Sequence, residues 1–446
     1  MRSSRADLAI ELLTNAVRLR DAGDDPGAVA LAIALLGDAY AAGRRRDEGQ
    51  QVVEAGVARL GDLGDDPRYV RLLAVSGKVL GLNAEYRLSL ERSREALARA
   101  ERLGLADVAA ETLGTIGQAA LFEGRLWESR AMFRGSMEIA EQIGNSDLVI
   151  RSATTLANIT ALDDPSEAVA VQREIITTAR RLGRRALEIN TIANVAEDVR
   201  RTGDWDWALA ELETVRQYEL DDAGEIVAGA AAMMIKINRG EVTEAEVDEL
   251  VARLATLEDR DVEAGKFDIR GLQAFARGEF AAAADLWIQG VPMSDYNVPY
   301  ILPRVAMASV LARRPDGAAE AIRALIARGT RGRSIDADRA TAEAGIAALR
   351  GDREAALAGY RVGLAGYRDL SLTWDEALLA MQAATTLGPD EPQVAGWVDE
   401  ARAILTRLRA APVLAQLERI VADGTPPPGE RASVAESAAS AESQPA

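Results

Sequence analysis

Apolar residues recur along this chain at the three-and-four spacing of helices that bury one face, and glycine or aspartate breaks the pattern at regular intervals. Leu8, Leu12, Leu13 and Val17 form the first stripe, on a lone leading helix over residues 5–21. Helix pairs are predicted at 27–62, 66–104, 106–144, 146–183, 185–219, 222–257, 261–290, 297–328, 335–368 and 371–409, with a capping helix at 411–422. Gly43, Gly81, Gly124, Asp164, Gly203, Gly240, Gly278, Gly317 and Gly351 recur every 37 to 43 residues, with a last interval of 34, each closing one amphipathic stretch and opening the next. Leu63-Gly64, Leu103-Gly104, Ile143-Gly144 and Leu182-Gly183 run out of phase with them, separated by 40, 40 and 39 residues. Two interleaved series at one period mean two helices per repeat, each stopped by a residue that tolerates the left-handed conformation. No pair can bury its own apolar face, so neighbours must stack into one elongated all-α solenoid.

Helix starts are marked too. Asp25-Pro26, Asp66-Pro67 and Asp164-Pro165 each set an N-cap acid before a first-turn proline, and Ser166-Glu167 adds the returning acid of a capping box. The stretch 290–302 holds two prolines and no helical stripe, which predicts a longer loop. The array should span residues 1–423, and the Pro-, Ser-, Ala- and Glu-rich segment 424–446 should be a disordered tail.

Composition narrows the function by what is missing. The chain has no His and no Cys, which removes imidazole acid–base catalysis, thiol nucleophiles, Cys/His zinc sites and disulfides. Lysine occurs only at 78, 236 and 266, and no glycine-rich phosphate loop is present. A net charge of −18 repels nucleic acid and anionic membrane surfaces. Arg44-Arg45-Arg46 and Arg331-Gly332-Arg333 fall in predicted turns and read as solvated loops. Asp163-Asp164-Pro165-Ser166-Glu167 could suggest a metal cluster, but a helix N-cap in the repeat register explains it fully. The expectation is a soluble cytoplasmic protein, with no enzymatic activity, cofactor, metal, nucleic-acid or membrane partner.

The repeat resembles the tetratricopeptide repeat. Its pattern is a small residue before the turn glycine, an Ala after it and a large apolar residue further on. Ala196, Gly203, Ala208 and Leu212 fit, as do Gly271, Gly278, Ala283 and Trp287, and Ala344, Gly351, Ala356 and Tyr360. Gly117, Gly124 and Phe133 fit with Ser129 in the Ala position. The period, about 38–40 residues, is longer than usual for that family, and Leu-Gly replaces its repeat-ending proline. This variant is similar to the C-terminal repeat region of bacterial regulators that carry an ATPase, an adenylate cyclase or a LuxR-type domain. The resemblance implies a right-handed superhelical solenoid of antiparallel helix pairs whose first helices line a concave groove.

At the groove-facing positions stand Arg68, Arg71, Lys78, Glu111, Gln118, Arg151, Thr154, Asn158, Asn190, Glu197, Arg200, Met234, Asp268, Phe275 and Arg304. Asn158 with Asn194 resembles the asparagine pair that grips a ligand backbone, because an amide can both donate to and accept from one peptide unit. The alternative is that both only bridge adjacent helices. The basic residues of a carboxylate clamp are replaced by Thr154, Val227 and Ala231. Trp205 and Trp287 read as core wedges, and Trp207 as an exposed anchor. The implied function is a peptide- or protein-binding scaffold using Arg151, Asn158, Asn190, Asn194, Glu197, Arg200, Met234 and Phe275. The alternative is a detached regulatory module acting in trans on a separate ATPase, cyclase or transcriptional regulator.

Overall fold

The computed structural model describes residues 5–424 apart from 22, 219, 221, 258 and 259. The tail expected beyond Gly424 lies outside them. A lone helix α1 (Arg5–Asp21) precedes ten antiparallel pairs. These are α2 (Pro26–Ala42) with α3 (Arg46–Arg59), α4 (Pro67–Leu82) with α5 (Tyr86–Leu103), α6 (Ala106–Phe122) with α7 (Leu126–Gln142), and α8 (Ser146–Ala161) with α9 (Pro165–Arg181). Next come α10 (Arg185–Thr202) with α11 (Trp205–Arg216), α12 (Asp222–Arg239) with α13 (Glu244–Leu254), and α14 (Arg260–Ala276) with α15 (Phe280–Gly290). The last are α16 (Val298–Leu311) with α17 (Pro315–Ala327), α18 (Arg333–Leu349) with α19 (Arg353–Asp369), and α20 (Thr373–Leu387) with α21 (Pro392–Leu408), followed by α22 (Ala411–Asp423). Consecutive pairs pack against one another, as a solenoid requires. Among the described residues there is no strand, and no helix is long and apolar enough to cross a membrane.

The predicted aspartate N-caps form, but among the described residues Glu167 makes no returning bond to complete a capping box at Asp164. Asp25, Asp66 and Asp164 each accept a hydrogen bond from a first-turn backbone N–H. At Gly104 the turn closes with two bonds, Gly104 N–H to the Glu101 carbonyl and Leu105 N–H to that of Ala100. Both use carbonyls the helix itself leaves unpaired. The same pair of bonds recurs at three sites where the left-handed residue is not the expected glycine. Arg44, Ala84 and Arg313 hold positive φ, whereas Gly43 sits at φ −80 and Gly81 and Gly317 lie inside α4 and α17. The turn geometry selects the position, and a non-glycine residue accepts it with some strain. The expected loop at 290–302 is also shorter. Val298 opens α16, and Pro299 and Pro303 are accommodated within it.

Small-against-large packing within pairs is as the motif implied. A Cβ at Gly271 would lie 2.3 Å from Trp287 Nε1, and one at Gly117 3.0 Å from the Phe133 ring. Trp205 and Trp287 are fully buried wedges. Trp207 is only half-exposed and packs against the core beneath the Arg173 guanidinium, 4.1 Å from the ring centroid. Trp127, at 80% exposure, is the tryptophan that faces solvent.

The array differs from an open, extended one. It winds so tightly that first helices of the middle pairs meet first helices of the last pairs. Thr373 Oγ1, at the start of α20, donates to the Thr202 carbonyl at the end of α10, 2.9 Å away and 171 residues distant in sequence. Arg239 Nε donates to the Leu408 carbonyl, and Gln416 Nε2 to those of Phe275 and Ala276. Ser334 N–H donates to the Asp163 carbonyl. Orphan carbonyls at helix C-termini are thus capped by donors from the adjacent superhelical turn. Asp163 and Asp164 also pair with Arg333 across this seam.

Candidate binding groove

Winding divides the concave face into an open part and a closed part. In the closed part Arg201, only 5% exposed, reaches from α10 to three partners on the later turn. Its guanidinium donates to Asp375 at 2.6 Å, Ser334 at 2.7 Å and Asp338 at 2.7 Å. Tyr367 Oη donates to Asp338 at 2.9 Å. Burial lifts the Asp338 carboxyl above its ordinary range, against the pull of Arg201. A small cavity of about 50 Å³ remains there, bordered by Arg200, Phe275 and Trp374.

Two residues predicted for ligand binding belong to this closed part. Phe275 is 3% exposed and packs its ring against Phe280 and Trp287. Arg200 is 4% exposed and bound to Glu197 at 2.8 Å. Neither faces a surface that a peptide can reach, because the last pairs fill the groove over them.

The open part holds two adjoining chambers, each of about 880 Å³. The partition is the segment 291–297, which crosses from the α15 end to the N-terminal pairs. Tyr86 Oη donates to Asp295 Oδ2 at 2.6 Å, and Phe122 stacks on Tyr86 while meeting Tyr296 edge-on, both at 4.8 Å. Asp295 is also paired with Arg328. Sequence reasoning placed a loop here but no contact. Its aromatic and acidic residues are the signal, and their partners lie too far away in sequence to be read.

The second chamber gathers Arg151, Asn158, Asn190, Asn194, Glu197 and Met234 from α8, α10 and α12. Asn158 Oδ1 accepts from Gln172 Nε2 at 2.8 Å, so this side chain bridges α8 to α9. Asn190, Asn194 and Arg151 are exposed, and their side chains make no hydrogen bond or ion pair among the described residues. Glu197 is held by Arg200 and Arg304. Burial opposes its ionisation, but the two guanidiniums prevail and hold its carboxyl at about 2. Arg331, not foreseen as a site residue, joins the wall from the turn before α18. Of the other expected groove residues, Arg68 pairs with Asp25 and Asp66, Arg71 with Asp107 and Lys78 with Asp38.

Compared with known proteins, the chain matches no family model and no curated relative.

Proposed function

We propose that this protein is a non-enzymatic scaffold that binds an extended peptide or protein segment in the open part of its superhelical groove. The observation that carries this reading is the pair Asn190 and Asn194, exposed, without a side-chain partner among the described residues, one helical turn apart on α10 and facing a chamber of about 880 Å³. Two amides four residues apart on a helix are separated by about 6 Å along its axis. An extended chain advances by about 6.6 Å over two residues. The two asparagines can therefore serve alternate peptide units of one strand, each donating and accepting. The tetratricopeptide-like packing supports the same reading, since it directs first helices towards the groove.

The test is affinity capture followed by titration of the captured partner. Asn190→Ala and Asn194→Ala should each weaken binding by about 1 kcal/mol, with folding intact. Asn158→Ala should instead lower thermal stability, because it strands Gln172. Unchanged affinity in the Asn190→Ala/Asn194→Ala double variant would remove the groove from the reading.

A further inference from the structure

The charges on the chamber wall are unevenly satisfied. Its carboxylates are all neutralised from within the chain. Glu197 is paired with Arg200 and Arg304, Asp268 with Arg304 at 2.5 Å, and Asp295 with Arg328. Arg151 and Arg331 line the same chamber, are exposed, and have no acidic partner among the described residues. Other exposed arginines also lack an acidic partner among the described residues, but Arg151 and Arg331 lie together on the wall of this chamber.

We propose that the segment bound in this chamber is acidic, with its carboxylates paired to Arg151 and Arg331 and its backbone held by Asn190 and Asn194. This rests on the peptide-binding reading above and adds the chemistry of the ligand. The planar fork of arginine suits a carboxylate, and a partly enclosed groove strengthens the pairing relative to open solvent. Asp295 on Arg328 already shows one carboxylate lodged against this wall. The overall negative field does not favour such a ligand, so its capture depends on these two side chains and is local.

A random dodecapeptide library displayed on phage, selected on the full-length protein, tests the proposal. Two double variants accompany it, Arg151→Gln/Arg331→Gln and Asn190→Ala/Asn194→Ala, each checked for an unchanged melting temperature. The expected result is enrichment of Asp- and Glu-rich peptides that bind at least tenfold more weakly to the arginine variant. Enriched neutral or basic peptides that lose affinity only in the asparagine variant would overturn the acidic assignment and leave the groove reading standing. Acidic peptides indifferent to the arginine variant would overturn it as well. Peptides indifferent to both variants, or no enrichment, would overturn the groove reading and this proposal with it.

Discussion

Arg201 and Asp375, 174 residues apart in sequence, meet through a 2.6 Å Nε–Oδ2 hydrogen bond in the interior and join two successive turns of the superhelix. A buried ion pair contributes little net stability when complete, but losing one partner leaves an uncompensated charge. Here one guanidinium serves two carboxylates, so its loss would strand both.

Arg201→Met should therefore destabilise the protein by about 3–5 kcal/mol in urea unfolding. Adding Asp338→Asn and Asp375→Asn should recover much of that loss, since the stranded charges are gone. If the single variant unfolds like wild type, the clasp contributes nothing to the closed half.

Gly203 makes a separate test of the same seam. It holds φ +93, and a Cβ there would sit 2.6 Å from Thr373 Oγ1 on the later turn. Gly351 has a similar φ of +88 with nothing within 4 Å of a Cβ. Gly351→Ala should cost about 1 kcal/mol from backbone strain alone. Gly203→Ala should cost clearly more, because α20 must also move away. Equal melting temperatures for the two variants would mean that the seam yields freely.

These positions show what the sequence could and could not reveal. Helix pairs, capping aspartates and the wedges Trp205 and Trp287 were legible, because each depends on neighbours within one repeat. The left-handed residues at Arg44, Ala84 and Arg313 were not, since a turn that tolerates a strained non-glycine leaves no compositional mark. The clasp on Arg201 and the burial of Phe275 and Arg200 depend on rotation per pair, a small angle summed over four to five repeats. No local spacing encodes that sum. Arg151, Asn190 and Asn194 line the open chamber because they lie where the later pairs do not cover the groove.

The partition between the chambers should be separable from the fold. Asp295 and Arg328 are both partly exposed, so their pairing contributes no more than about 1 kcal/mol. Asp295→Asn removes that pair and weakens the bond from Tyr86. Hydrogen exchange across 291–297 should accelerate while the melting temperature changes little. A large fall in melting temperature would instead make this segment part of the core.

Glu197 gives the pH prediction. Its carboxyl is held at about 2 by Arg200 and Arg304 despite burial, against an ordinary value of 4.5. A folded value below the unfolded one means that the ionised form stabilises the fold. This contribution is complete above about pH 4.5 and is lost as pH falls towards 2, and it amounts to about 3 kcal/mol at most. Glu197→Gln should thus be much less stable than wild type at pH 6, with the gap narrowing steadily below pH 4.5. The neighbouring Asp198 runs the other way: burial and the charge of Glu197 raise its carboxyl, so its ionisation opposes folding as pH rises. Burial keeps it raised in both proteins, but the variant lacks the Glu197 charge that raises it further, so its own titration cancels only in part. Urea unfolding of both proteins from pH 6 to pH 3 gives that difference directly. A gap that stays constant with pH would show that the Glu197 carboxylate is not held by its arginines, and the neutralised wall of the chamber would have to be reassigned.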